Sequence, residues 1–178
     1  MNRVFTSVCL AAFWGCFATV GTAQAQIAQH SITVGVGAVQ FDLNGVGTAP
    51  GMTVRATRAL SNHLAVEASV PVSWPAQDFG GSKLFSPEAH LQYQWQAGSF
   101  RPYVGGGAGL VWTDAGVFGD SDVNLTLSAA SGTRFDVTDR IAIFGELRLR
   151  GIKRNFAGST AEWMSGVSWN FGGRSSVR

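Results

Sequence analysis

Phe85-Ser86-Pro87-Glu88-Ala89-His90-Leu91-Gln92-Tyr93-Gln94-Trp95 is the stretch that decides the fold. At alternate positions it presents Phe85, Pro87, Ala89, Leu91, Tyr93 and Trp95 on one side, and Ser86, Glu88, His90, Gln92 and Gln94 on the other. A strand sends successive side chains to opposite faces, so this segment has one apolar and one fully polar face. A soluble barrel hides its apolar face inside, whereas a membrane barrel turns that face to lipid and keeps a polar lumen.

The same alternation recurs. Leu64, Val66, Ala68, Val70 and Val72 share a face, as do Val123, Leu125, Leu127 and Ala129, then Ile141, Ile143, Gly145, Leu147 and Leu149, and finally Ala161, Trp163, Ser165, Val167, Trp169 and Phe171. No helical period of useful length follows Gln26, and no run of 18 apolar residues occurs. The pattern predicts eight strands over 31–43, 51–60, 63–72, 84–95, 100–113, 122–136, 140–151 and 160–171. Crossing a bilayer at a tilt takes about 9–11 strand residues, which these segments meet.

Connections alternate in length. Asn44–Pro50, Ser73–Lys83, Asp114–Ser121 and Ile152–Ser159 are the longer ones, while Ser61-Asn62, Gln96–Ser99 and Val137–Asp139 are tight. Short periplasmic turns and longer outer loops produce this asymmetry. Trp74, Phe85, Trp112 and Trp163 then fall at the outer interface, and Trp95, Phe100, Phe135, Trp169 and Phe171 at the inner one, where amphipathic rings are favoured. The expected fold is all-β, an eight-stranded antiparallel up-and-down transmembrane β-barrel. Within the first strand, Ile32, Val34 and Val36 change phase with Val39 and Phe41, and a bulge near Gly37 is expected to absorb the switch.

Ahead of the barrel, Arg3, an apolar core over Val4–Val20 and Ala23-Gln24-Ala25 make a secretory signal peptide of residues 1–25, with cleavage before Gln26. The core is short for a transmembrane anchor, and Phe13 takes the place of the usual Leu before a lipoprotein Cys16. Both cysteines, Cys9 and Cys16, lie within this signal, so the mature chain is expected to have no thiol, disulfide or cysteine metal site. The net charge of +2 falls to +1 without Arg3, with basic residues spread along the chain, which speaks against nucleic acid as a partner.

The inward face collects Arg55, Glu67, Glu88, His90, Arg101, Arg134, Glu146, Arg148, Arg150 and Glu162. An eight-stranded barrel is barely wide enough for its own side chains, so charges at this density must pair. The expected lumen network joins Arg148 and Arg150 with Glu146 or Glu162, and Glu67 and Glu88 with Arg55 or Arg134. Gly105, Gly107 and Gly109 on the inner face would make room for these long side chains.

Leu91-Gln92-Tyr93-Gln94-Trp95, a short turn and Phe100-Arg101-Pro102-Tyr103-Val104-Gly105-Gly106-Gly107 resemble the middle hairpin of small porin-family barrels of the OmpA, OmpX and OmpW types. Thr138-Asp139-Arg140-Ile141-Ala142 with Gly145-Glu146-Leu147-Arg148 is similar to their penultimate hairpin. Gly166-Val167-Ser168-Trp169-Asn170-Phe171 resembles the barrel-assembly signal on their last strand, with Gly166, Trp169 and Phe171 as its defining residues. Two departures are Met164, where a polar residue is usual, and the tail 172–178, too short for a peptidoglycan-binding domain. The resemblance covers nearly all of 26–171, which it makes the barrel domain, and implies residence in the cell outer membrane of a Gram-negative envelope. Implied partners are outer-membrane lipids and lipopolysaccharide, with the barrel-assembly machinery during insertion, for a monomeric protein without cofactors.

Some small outer-membrane barrels are enzymes. Ser86, Glu88 and His90 share one face at spacings of two, but a row on one strand is not expected to converge as a catalytic triad must. No phosphate loop, zinc pattern or calcium loop is present. The expected function is therefore non-enzymatic: an integral outer-membrane barrel with a structural or surface-interaction role, its lumen plugged by charged side chains. The alternative is a narrow channel for small hydrophobic or minor polar solutes.

Overall fold

The structure, a computed structural model, describes residues 30–41, 47–74, 84–113, 122–152 and 158–171. The proposed signal peptide and the tail 172–178 lie outside them. The described strands are β1 (His30–Phe41), β2 (Gly47–Ala59), β3 (Leu64–Ser73), β4 (Leu84–Phe85), β5 (Glu88–Gln94), β6 (Phe100–Thr113), β7 (Asp122–Asp136), β8 (Ile141–Ile152) and β9 (Gly158–Phe171). All pairings are antiparallel, and β1 pairs with both β2 and β9, which closes the sheet. β4 and β5 occupy one position between β3 and β6, so the barrel has eight strands around its wall.

Ser86 and Pro87 separate β4 from β5 by interrupting the hydrogen bonding to β3 and β6, not the register. Val72↔Phe85 before the break and Ser69↔Glu88 after it belong to one continuous pairing with β3. Ser86 N–H donates to the Pro71 carbonyl at 3.0 Å, but Pro71 has no N–H to return. Leu110 N–H donates to the Pro87 carbonyl at 3.0 Å, and Pro87 likewise returns nothing. Two neighbouring seams therefore each lack a rung at the same height.

The tight turns follow from local chemistry. Ser61 Oγ accepts the amides of His63 and Leu64 at 3.3 and 3.1 Å, and Thr138 Oγ1 does the same for Arg140 and Ile141 at 3.3 and 3.0 Å. In the third turn Ala97 and Phe100 exchange backbone hydrogen bonds around Gly98, whose φ of 63° is left-handed and favours glycine. These three turns share one end of the barrel with the start of β1 and the end of β9.

Alternation runs along the strands, with most apolar residues outward: Val36, Leu91, Leu125 and Leu149 are exposed, while their neighbours Gly35, Gln92, Thr126 and Arg150 are buried. In β9 it lapses at Thr160–Glu162, where Ala161 is buried as well. The aromatic residues Trp74, Phe85, Trp112 and Trp163 point outward at one end, and Trp95, Phe100, Trp169 and Phe171 at the short-turn end.

Two sequence expectations are corrected here. β1 has no bulge: its pairing with β2 is one-to-one from His30↔Arg58 to Phe41↔Gly47. Val39 and Phe41 instead point inward in phase with Ser31 and Thr33, because the lumen itself turns apolar at that height. β2 also starts at Gly47 rather than 51, since Phe41↔Gly47 through Ala38↔Pro50 extend the hairpin into the stretch assigned to a loop.

Candidate functional site

The lumen contains two layers. Toward the long-connection end, Val39, Phe41, Ala49, Leu84 and Val111 form a buried apolar layer, and the same cluster extends downward through Met164 to Phe144, three residues inside the short-turn start of β8. Gly51 leaves room for it: a Cβ there would lie 2.9 Å from Val39 Cγ2 and 3.1 Å from Met164 Cε. Met164, the departure from the usual closing-strand pattern, is thus a lumen-packing residue.

The remainder is ionic. Arg55, Glu67, Glu88, Arg134, Glu146, Arg148, Arg150 and Glu162 are all buried and form one connected network of four carboxylates and four guanidinium groups. Glu67 meets Arg148 at 3.0 Å, Arg134 at 3.3 Å and Arg55 at 3.8 Å. Glu146 meets Arg55 at 2.6 Å and Arg148 at 3.1 Å. Glu88 takes Arg148 at 3.1 Å and also Arg150, which in turn holds Glu162. The charges balance, and each guanidinium lies against at least one carboxylate, which offsets the cost of burying it.

Most expected pairs are present, but Glu88 departs from expectation. Its guanidinium partners are Arg148 and Arg150 of β8, not Arg55 or Arg134. Arg55 reaches Glu146 across the lumen. Strand tilt and shear decide which inward residues share a height, and alternation carries no information on either.

Neutral groups complete the network. Tyr103 donates its hydroxyl to Glu146 at 2.7 Å, and the Arg134 guanidinium lies 4.9 Å from the Tyr103 ring centre. Arg55 lies 4.8 Å over the Phe144 ring. Gln92 donates to Glu67 at 2.9 Å, and Arg134 donates to Gln92 Oε1 at 3.1 Å. Arg101, nearer the short turns, pairs with Asp136 at 2.5 Å. Tyr103 and Asp136 were not among the residues singled out from sequence, although their parity with Arg101 and Arg134 marks both as inward.

The three inner glycines of β6 act as seats. A Cβ on Gly105 would lie 3.1 Å from Gln92 Cγ, one on Gly107 2.6 Å from His90 Cγ, and one on Gly109 2.6 Å from Glu88 Cγ. The long polar side chains of β5 thus lie across β6 backbone that no side chain occupies.

Ser86, Glu88 and His90 do come together, contrary to the expectation for a row on one strand. Ser86 donates to Glu88 Oε1 at 3.1 Å, and His90 Nε2 lies 2.9 Å from Glu88 Oε2 and 3.0 Å from Ser128 Oγ. The connectivity is not that of a nucleophilic triad. Acid and hydroxyl both contact Nε2, while Nδ1, which the acid of a triad orients, has no partner. His30 and His63 are exposed, His63 stacked 5.7 Å from Tyr93. No group of three or more metal-binding side chains occurs among the described residues.

On the closing strand, Gly166 faces inward against β1, while Trp169 and Phe171 face outward at the short-turn end. We expect Phe171→Ser to lower the yield of inserted protein in cells more than the unfolding stability of protein refolded in detergent. Equal cellular yields for the two forms would refute a signal role for this residue.

A family model described as outer membrane protein beta-barrel domain matches residues 9–171. Comparison with curated protein sequences gives no match. Among solved structures, Neisserial surface protein A (NspA) superimposes with a TM-score of 0.68 at 16% identity, over 81% of this chain and 98% of that one. The N-terminal β-barrel domain of Pseudomonas aeruginosa OprF gives 0.58 at 15% identity, over 82% and 100%. Ail, the attachment invasion locus protein of Yersinia pestis, gives 0.57 at 13% identity, over 82% and 100%.

Proposed function

The chain belongs to the outer membrane protein β-barrel family, and from that premise we propose that it is a sealed barrel of the outer membrane with a structural or surface-interaction role. The observation that carries this reading is the continuous, charge-balanced network from Arg134 to Glu162 beneath the apolar cluster around Val39 and Leu84. An ion entering the lumen would have to part buried ion pairs and then cross a dry apolar layer. Near the short-turn end, a cavity of only about 10 Å³ remains beside Arg101, Arg134, Gln94 and Asn170. That is about the minimum for a single water molecule.

With the lumen filled, the outer loops and the lipid-facing wall are left as the interacting surfaces. Outer-membrane lipids and lipopolysaccharide are the partners such a wall meets, and the barrel-assembly machinery is the partner its closing strand meets during insertion. The protein serves this role as a monomer, without cofactor and without catalysis. The His90 environment supports that reading, since its Nε2 is already shared by Glu88 and Ser128 inside the lumen.

The test is planar-bilayer recording of the folded protein. We expect conductance indistinguishable from that of the bare bilayer. Stable, ion-selective unitary currents would reject the plug and favour a narrow channel for small solutes.

A further inference from the structure

The outward wall carries a groove that a sealed lumen does not use. Ala56, Ala68, Ala89 and Ala108 are successive cross-strand partners over β2, β3, β5 and β6, and all four are outward-facing. One pleat further toward the outer end, Val54, Val70 and Leu110 stand up as a wall, with Pro87 between the last two. Val66 and Leu91 form the opposite wall. The trench between them comprises adjoining cavities of about 550 and 310 Å³ that share Ile32, Ala56, Ala68 and Ala89.

The groove has a direction. Ile32, at its β1 end, is two residues inside the start of its strand, whereas Ala108 is eight residues inside β6. It therefore begins at the short-turn surface, periplasmic in this family, and climbs into the hydrocarbon. At its lower mouth are His30 and Arg58, direct cross-strand partners that both face outward, beside Phe171. Of the described strand carboxylates, Glu67, Glu88, Asp136, Glu146 and Glu162 all point into the lumen and Asp122 lies at the opposite, long-connection end of β7, so none meets Arg58 on the outer wall.

We propose that this groove binds one anionic glycerophospholipid of the periplasmic leaflet, its phosphate at Arg58 and His30 and one acyl chain along the four alanines. Charge complementarity selects this occupant. An arginine at headgroup depth, with no acid on the wall around it, is matched by a lipid phosphate. A second copy docked on the same face by two-fold symmetry would bring Arg58 towards another Arg58 and offer it no carboxylate. The inference rests on membership of the outer-membrane family and on the orientation that places the short turns in the periplasm.

The test is native mass spectrometry of the folded protein in dodecyl maltoside micelles containing equal amounts of dioleoyl phosphatidylglycerol and dioleoyl phosphatidylcholine. Wild type is expected to retain one phosphatidylglycerol in about fivefold preference, the factor expected of one arginine at an anionic surface. Arg58→Gln should bring the ratio to about one. Ala68→Leu with Ala89→Leu fills the trench while staying apolar, and should lose retention of both lipids. Ala89→Leu alone serves if the double variant fails to show the heat-modifiable gel shift of a folded barrel. Equal retention of the two lipids by wild type, or undiminished retention by the filled variants, overturns the proposal. So does a dimer that the leucines dissolve, which would assign the groove to a second copy. Failure of the membrane assignment would be distinct, showing as a monomer soluble without detergent.

Discussion

Glu88→Ala is expected to remove about 3–5 kcal/mol of unfolding free energy, the range found when one partner of a buried pair is deleted. Glu88 receives Arg148 and Arg150 together with the hydroxyls of Ser86, Thr126 and Ser128. Its loss withdraws one carboxylate from two guanidinium groups that are each only 1% exposed. Glu162→Ala is the internal comparison and should cost less, because Glu162 pairs with Arg150 alone whereas Glu88 serves two guanidinium groups. Reversible unfolding in detergent micelles measures both variants. A cost for Glu88→Ala of under about 1 kcal/mol, the level of an exposed pair, would mean a hydrated lumen and count against the plug.

The second large effect is expected at the closing seam. A Cβ on Gly166 would stand 2.6 Å from Gly35 Cα and closer still to the Val34 carbonyl oxygen. Both belong to the backbone of β1, which cannot give way as a flexible side chain does. Gly166→Ala must therefore push β9 from β1, with an expected loss of about 1–3 kcal/mol, typical of overpacking. Gly145→Ala is the matched control, since a Cβ there meets nothing within 4 Å. Equal losses for the two alanines would show that the seam tolerates the added methyl. Gly166, singled out from sequence as part of an assembly signal, thus has a packing requirement that stands whether or not the assembly machinery reads it.

How far the chain could be read in advance depended on which physical quantity a residue reports. Alternation reports facing, and facing was legible: all ten charged or imidazole residues assigned inward, from Arg55 to Glu162, are buried. Closure by β1 and β9 also followed from the strand count. Height and azimuth were not legible, because they depend on the shear that one-dimensional pattern does not contain. That is why Glu88 was matched to the wrong arginines, and why Ser86, Glu88 and His90 were expected to stay apart. Side chains two apart on one inner face converge here because glycines on β6 let those of β5 lie down. In β1, an assumption that lumen residues must be polar turned Val39 and Phe41 into evidence for a bulge, when they form part of an apolar layer.

The missing rungs at Pro71 and Pro87 bear on where such a wall first comes apart. A closed barrel has no edge strand, so thermal opening has no preferred starting point unless the ladder supplies one. Here the Ser86 and Leu110 carbonyls are deprived of their ladder donors, one on each flank of the same strand. Hydrocarbon offers no water in compensation. The β3, β4 and β6 amides around this point are accordingly the ones that should trade protons for deuterons soonest, ahead of the fully laced β7, β8 and β9. Lateral strain in the bilayer would concentrate at that line, and an unfolding barrel would begin as a sheet cut there rather than at the junction of its termini.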